Sequence, residues 1–344
     1  MSELRGAMIG CGFFAINQLH GWNDAKGASI TAICDKDPER LRLVGAKFGI
    51  SRQYEDASAM LAAEKPDFAD IATTVSSHRQ LVELAARHKV HAICQKPFAP
   101  TLDDAKAMIA ACNHAEVQLM IHENFRWQTP IRAVRRVIES GVIGEPFWGR
   151  VSFRSAYDVF SGQPYLAQGK RFIIEDLGIH ALDIARFLFG DAATMTARTS
   201  RINLAVKGED VATMLLGHQS GVTSIVDCSY ATRLAIEPFP QTLVEVDGAD
   251  GTLRLHEGYR LEINGKNGRL DTDVSPALLP WAERPWHNIQ ESVALIQQNF
   301  ADCLVAKIAP PTTGADNLKT FALVEAAYQS AASGMPVNLA DLLS

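Results

Sequence analysis

An apolar run, Ala7-Met8-Ile9, ends in Gly10-Cys11-Gly12-Phe13-Phe14-Ala15, and the next, Ile30-Thr31-Ala32-Ile33-Cys34, is closed by Asp35. Strand, glycine turn, helix, strand and acid, in that order, is what a dinucleotide-binding βαβ unit requires. Gly10 permits the tight turn, Gly12 lets backbone N–H groups approach a pyrophosphate, and Ala15 keeps the helix close to the sheet. A helix from Phe13 to about Ala25 then aims its positive end at the phosphates. Asp35 can accept hydrogen bonds from both adenine-ribose hydroxyls and repels a 2′-phosphate, so NAD is expected rather than NADP. Lys36 and Arg40 could bind such a phosphate, yet Lys36-Asp37-Pro38-Glu39-Arg40 reads as a solvated helix start with proline in its first turn.

Strand candidates at Ala7–Ile9, Ile30–Cys34, Phe68–Thr73, Val90–Cys94 and Val117–Ile121 alternate with helical patterns at Pro38–Phe48, Ala57–Ala63, Ser77–His88 and Leu102–His114. That alternation predicts an α/β, doubly wound parallel sheet of Rossmann type, with its ligand crevice at the carboxyl ends of the strands. Thr73-Thr74, Gln95-Lys96-Pro97 and His122-Glu123-Asn124 each follow a strand and should gather along that rim. A helix over Thr129–Glu139 follows. From about Pro146 the texture turns to β, with runs at Phe147–Ala156, Thr194–Ile202, Val211–Leu216, Thr223–Ser229, Leu243–Asp247, Thr252–His256 and Tyr259–Ile263. Helices are expected over Leu177–Phe189, Ile289–Val305 and Ala315–Ser333. This predicts an α+β second domain on a large, open, mostly antiparallel sheet. A chain of 344 residues exceeds what one core usually supports, so two domains are expected, 1–125 and 126–344.

The net charge of −6 argues against nucleic acid or an anionic membrane as partner. The six cysteines are scattered without a Cys-x-x-Cys pair, so neither a zinc knuckle nor a disulfide framework is indicated. Met1 leads almost directly into the first strand, and no apolar stretch reaches a membrane span, so a cytoplasmic protein is expected.

Lys96 follows a strand, and Pro97 fixes the backbone there, the bond before it being cis or extended. Such a lysine can stabilise a developing alkoxide or be an ordinary surface lysine. In Glu175-Asp176-Leu177-Gly178-Ile179-His180-Ala181-Leu182-Asp183, the residues Asp176, His180 and Asp183 share a helix face by three-and-four spacing. Removing a hydride from a carbinol carbon needs a base for the hydroxyl proton, and histidine beside a carboxylate suits that near neutral pH. The plainer readings are a buried histidine and a helix-capping aspartate.

The glycine turn, Asp35, the Lys-Pro pair and Asp-x-Gly-x-His-x-x-Asp, together with Ser77-His78, resemble the glucose–fructose oxidoreductase/inositol dehydrogenase/MocA family over essentially the whole chain. The resemblance implies Lys96, Asp176 and His180 as the catalytic group. It implies a cofactor site formed by Gly10, Gly12, Phe13, Phe14, Asp35, Thr73, Thr74, His78, Gln95, Lys96 and Asn124. It also implies association into a homodimer or homotetramer through the outer face of the second domain's sheet. Gln95 departs from the family's usual Glu-Lys-Pro. Gly169-Lys170-Arg171-Phe172-Ile173-Ile174-Glu175 stands where the family often has glycines, which puts an arginine beside the site.

Arg126, Arg154 and Arg171 suggest a carboxylate-bearing substrate, since guanidinium grips a carboxylate with two prongs, although each could instead make a structural ion pair. Lys96, Asn124, Arg126, Arg154, Arg171, Asp176, His180 and His287 form the expected substrate set. Trp286-His287 is either a loop over the substrate or a core tryptophan with an incidental neighbour. His122-Glu123-Asn124-Phe125-Arg126-Trp127-Gln128 and Trp286-His287 also resemble the family's sugar-acid branch, most nearly the D-apionate oxidoisomerases. The expected reaction is therefore NAD-dependent hydride transfer from a carbinol of a small polyhydroxylated acid, with isomerisation of D-apionate as its finest form. No metal site is expected, although Glu123, Glu175 and Asp176 are possible oxygen ligands for a divalent ion acting as a Lewis acid. The competing readings are a neutral-sugar or inositol dehydrogenase and a non-catalytic NAD-binding regulator.

Overall fold

Strands buried on both faces read as near-continuous apolar runs, and the runs in the first third become the middle of a parallel sheet. The computed structural model describes residues 3–235, 241–266 and 268–344. One unit comprises Met1–Asn124 and Gln290–Leu318, the other Phe125–Ile289 and Lys319–Ser344.

In the first unit six parallel strands, β1 (Leu4–Ile9), β2 (Ala28–Cys34), β3 (Arg52–Tyr54), β4 (Phe68–Ile71), β5 (His91–Gln95) and β6 (Leu119–His122), lie in the order 3-2-1-4-5-6. Helices α1 (Phe13–Asp24), α2 (Pro38–Phe48), α3 (Ala57–Glu64), α4 (His78–Arg87) and α5 (Leu102–Ala115) make the crossovers. Strand order reverses between β1 and β4, and the crevice of such a sheet opens at that point. Asp37 caps α2, accepting from the N–H groups of Glu39 and Arg40 with Pro38 in the first turn. The edge strand β3 was not anticipated: Arg-Gln-Tyr carries no apolar alternation, and only pairing with β2 makes it a strand.

The first unit also takes in a distant stretch, which the single expected cut at 125/126 left out. Ile121 N–H donates to the Thr312 carbonyl (2.8 Å), and Thr312 Oγ1 donates back to the Ile121 carbonyl (2.9 Å). Gln297, on α8 (His287–Ala306), donates to buried Asp70 on β4 (3.3 Å).

Among the described residues the second unit is built on nine strands: β7 (Pro146–Arg154), β8 (Ala192–Ser200), β9 (Val211–His218), β10 (Thr223–Ser229), β11 (Leu243–Gly248), β12 (Gly251–Leu255), β13 (Arg260–Gly265), β14 (Gly268–Asp273) and β15 (Val337–Asn338). Their order is 14-13-12-11-7-10-9-8-15, and among the described residues only β7 and β10 pair in parallel. Helices α6 (Thr129–Glu139), α7 (Ile179–Phe189) and α9 (Gly314–Ser333, its part from Lys319) belong here, followed by α10 (Ala340–Leu343). Period-two alternation puts Val151, Phe153, Met214, Val226 and Cys228 in the core, where α7 packs on β7 and β10. Trp148, Arg150, Ser152 and Arg154 point to the opposite face. Strand β14 was also missed, because its six residues are all exposed and show no pattern.

The helix expected from Leu177 starts earlier, with a single π-helical turn over Ile174–Gly178 leading into α7. Such a turn inserts an extra residue and recurs at functional sites.

Candidate active site

Gly10 adopts φ 99°, and a Cβ there would stand 2.6 Å from the Ala72 carbonyl oxygen, whereas a Cβ on Gly12 would meet nothing within 4 Å. The first glycine is thus demanded by the turn from β1 into α1, which passes close to the backbone after β4, and the second leaves space at the start of α1. Among the described residues α1 has no side-chain cap and no acid in its first turn, so its N–H groups suit an anionic pyrophosphate. Asp35, part-exposed after β2, accepts the Cys11 N–H at Oδ2 (2.7 Å) and the Asp37 N–H at Oδ1 (2.9 Å). A carboxylate oxygen has two acceptor positions, so Asp35 clamps the glycine turn and can still accept ribose hydroxyls. These residues fit the dinucleotide. Burial, followed by the nearby Asp35 charge, pushes the Cys11 thiol up to about 12.

Thr73 and Thr74 follow β4. Ser77 Oγ donates to Thr73 Oγ1 and to the Thr74 carbonyl, both at 2.8 Å. His78 is fully buried beneath this loop. Its Nε2 lies 3.2 Å from the Thr73 carbonyl oxygen, and its Nδ1 lies 3.0 Å from that of Pro97 and 3.3 Å from that of Phe98. Burial lowers its pKa. His78 therefore braces two crevice loops through its ring and lies beneath them. The Lys96–Pro97 bond is cis, and Lys96 is part-exposed. The Lys96 N–H donates to Gln95 Oε1 (2.7 Å), which leaves the buried Gln95 Nε2 without a partner among the described residues. Phe14 packs edge-on to His122 at 6.0 Å. Phe13 is 54% exposed at the head of α1. Asn124 is buried, and its amide donates to Ser292 Oγ (2.6 Å).

In the second unit, Asp176 sits in the π-helical turn and His180 in the first turn of α7. His180 is 4% exposed and stacks face to face on Phe125, with centroids 3.8 Å apart and planes at 5°. Asp176 is part-exposed, and its charge helps burial hold the Tyr230 hydroxyl well above its usual pKa. Asp183, expected on the same helix face, is engaged elsewhere. It is fully buried and bound to Arg126, with Nε donating at 2.5 Å and Nη2 to the second oxygen, while Thr320 Oγ1 adds a bond at 2.8 Å.

The three arginines expected at a substrate carboxylate are engaged inside the protein. Arg126 is 7% exposed and held by Asp183. Arg154 donates to Asp227 at 3.0 Å, and Arg150 donates to the same carboxylate at 2.8 Å. Arg171 donates to Glu325 at 2.5 Å, lies 3.3 Å from Glu175, and covers the Tyr328 ring at 3.9 Å. Spacing along the chain cannot reveal such pairings, since Arg126 and Asp183 are 57 residues apart and Arg171 and Glu325 are 154 apart. His287 is buried and edge-on to Tyr259 at 5.7 Å, and burial lowers its pKa. Trp286 Nε1 donates to the Tyr157 hydroxyl at 3.3 Å. Among the described residues no group of three His, Cys, Asp or Glu side chains is arranged for a metal ion. Also among them, no helix is long and apolar enough to cross a membrane. The platform under His180 and the tyrosine beside Asp176 were not anticipated, because Phe125 and Tyr230 carry no local signal of either role.

Residues 4–123 match the family described as "Oxidoreductase family, NAD-binding Rossmann fold", and residues 131–271 match the "GFO/IDH/MocA C-terminal domain". The chain is 67% identical over 343 residues to a D-apiose dehydrogenase of Rhizobium rhizogenes, covering 100% of this chain and 99% of that one. A D-apiose dehydrogenase of Paraburkholderia graminis is 63% identical over 342 residues, covering 99% and 91%. The crystal structure of an oxidoreductase from Agrobacterium radiobacter in complex with NAD+, L-tartaric acid and magnesium superposes with a TM-score of 0.98 at 67% identity, over 99% of both chains.

Proposed function

Because the chain belongs to the Gfo/Idh/MocA oxidoreductase family and is an NAD-dependent dehydrogenase of CH–OH groups, we propose that its substrate is the neutral sugar D-apiose. The observation that carries this choice is the state of the three arginines. Arg126, Arg154 and Arg171 each lie on internal carboxylates, and Arg126 is buried there. A carboxylate substrate would have to displace a partner the fold already supplies. The identity to D-apiose dehydrogenases over the full chain supports the same reading.

Bound NAD+ supplies the hydride acceptor. His180 takes the proton of the substrate hydroxyl as the carbinol carbon becomes a carbonyl, and Lys96 donates to the oxygen on which charge develops. Asp176, one turn before His180, orients the imidazole or the sugar. Gly10 and Gly12 seat the pyrophosphate, and Asp35 holds the adenine ribose. The stacking of His180 on Phe125 supports a base held in one plane.

The polyhydroxy-acid reading keeps one observation in its favour: the Agrobacterium radiobacter oxidoreductase was crystallised with L-tartaric acid and magnesium. NADH formation followed with D-apiose, D-apionate and myo-inositol, with and without magnesium, separates the readings. Turnover of D-apiose alone is expected. Preferred turnover of D-apionate would select the acid, and a preference for inositol would select a polyol dehydrogenase.

The same reading includes a cytoplasmic, homo-oligomeric enzyme, to be checked by cell fractionation and sedimentation. Its interface is the sheet face opposite α7, where Leu215 is 47% exposed and in register with Ile225.

A further inference from the structure

The turn that carries Asp176 is gripped from a remote loop. Glu209 lies between β8 and β9, and its Oε1 accepts the N–H groups of Phe172 (3.2 Å) and Ile174 (3.3 Å), while its carbonyl accepts that of Ile173 (3.1 Å). Three successive amides at the head of a helix, which have no partners within the helix, are thus satisfied by one residue 35 positions further along the chain. A carboxylate there also complements the positive end of the helix. Glu209 is itself anchored, because the Tyr328 hydroxyl on α9 donates to the same oxygen at 2.6 Å. The Tyr328 ring is covered by Arg171, which Glu325 on α9 holds.

The grip lies immediately upstream of the π-helical turn. Downstream, α7 is buried along its length, and His180 is stacked on Phe125. The extra residue of the π-helical turn is therefore trapped between two fixed ends. If the upstream end were released, the segment could slip by one residue into the commoner α-helical form. At about 3.6 residues per turn such a slip swings Asp176 by about 100° around the axis, while His180 keeps its place.

We propose that Glu209 is a positioning residue for this enzyme, holding the π-helical turn in the register that presents Asp176 beside His180. The inference rests on the proposed roles of those two side chains. Tyr328 serves it by fixing the carboxylate.

The test compares Glu209→Ala with Glu209→Gln in the full-length enzyme, since glutamine keeps an acceptor oxygen where alanine has none. With D-apiose and saturating NAD, Glu209→Ala should lower kcat by at least about 100-fold, since a misplacement of only about 1 Å already costs that much and the swing moves Asp176 further. The KM for NAD should stay within about threefold, and Glu209→Gln should recover most of kcat. Amide hydrogen exchange over residues 171–178 gives a readout that needs no substrate. Protection should be lost in Glu209→Ala and kept in Glu209→Gln. Unchanged protection in Glu209→Ala, or equal damage in the two variants, overturns the proposal. If the unmodified enzyme ignores D-apiose but exchange behaves as stated, the substrate assignment falls and the grip of Glu209 on the turn stands.

Discussion

Asp70→Asn should make this protein more stable at alkaline pH, although it alters a fully buried polar side chain. Asp70 lies on β4 with no exposed surface. It accepts from Gln18 Nε2 (2.9 Å), Trp22 Nε1 (2.6 Å) and Gln297 Nε2 (3.3 Å), all neutral donors. Burial raises its pKa from 3.8 to about 7, against the opposing effect of the Trp22 and Gln297 hydrogen bonds. A carboxyl raised in the folded state binds its proton more tightly there. Its contribution is therefore fully present below 3.8 and is lost as pH climbs towards about 7. Roughly three pH units at about 1.4 kcal/mol each amount to about 4 kcal/mol of stability lost by pH 8.

Asparagine cannot ionise, and its amide can be satisfied. Gln18 Oε1 and Gln297 Oε1 are both buried without partners among the described residues, so turning the Gln18 amide over gives the introduced amide N–H group an acceptor. Allowing about 1 kcal/mol for less favourable hydrogen bonds, the variant should gain about 3 kcal/mol at about pH 8 and under about 1 kcal/mol at about pH 5. Urea unfolding of both proteins at the two pH values measures this, and other titrating groups cancel in the difference. A variant whose difference from the parent is the same at both pH values, or one several kcal/mol less stable at the higher pH, refutes the assignment of a destabilising buried charge.

Two other substitutions probe the site and its supports. Lys96→Ala should reduce kcat by about 10²- to 10³-fold while NAD binding, followed by fluorescence titration, is retained; equal loss of both would place Lys96 in the cofactor site. Arg126→Ala removes the guanidinium that Arg126 lays on fully buried Asp183 and should cost about 3–5 kcal/mol in denaturation with little change in KM for D-apiose, whereas a stable protein with a raised KM would restore Arg126 to the substrate site.

The dinucleotide half was legible because its determinants are local. A positive φ at residue 10, an open helix start at Gly12 and an acid closing β2 are all set within about 25 residues, by sterics and by the periods of strand and helix. Asp176 and His180 likewise share one stretch of chain, so their spacing in sequence was legible, although the π-helical turn between them was not.

What sequence order could not disclose was which distant partners the charged side chains would meet. Three arginines in motif-rich segments suggested an anionic ligand, yet folding delivered Asp183, Asp227 and Glu325 to them. The return of Gln290–Leu318 to the first unit was equally hidden, because it depends on Thr312 meeting Ile121 across 191 residues. Backbone conformation follows from neighbours in the chain, so it can be inferred from order alone. Charge pairing and desolvation depend on distance in space, and only the packed fold sets that distance.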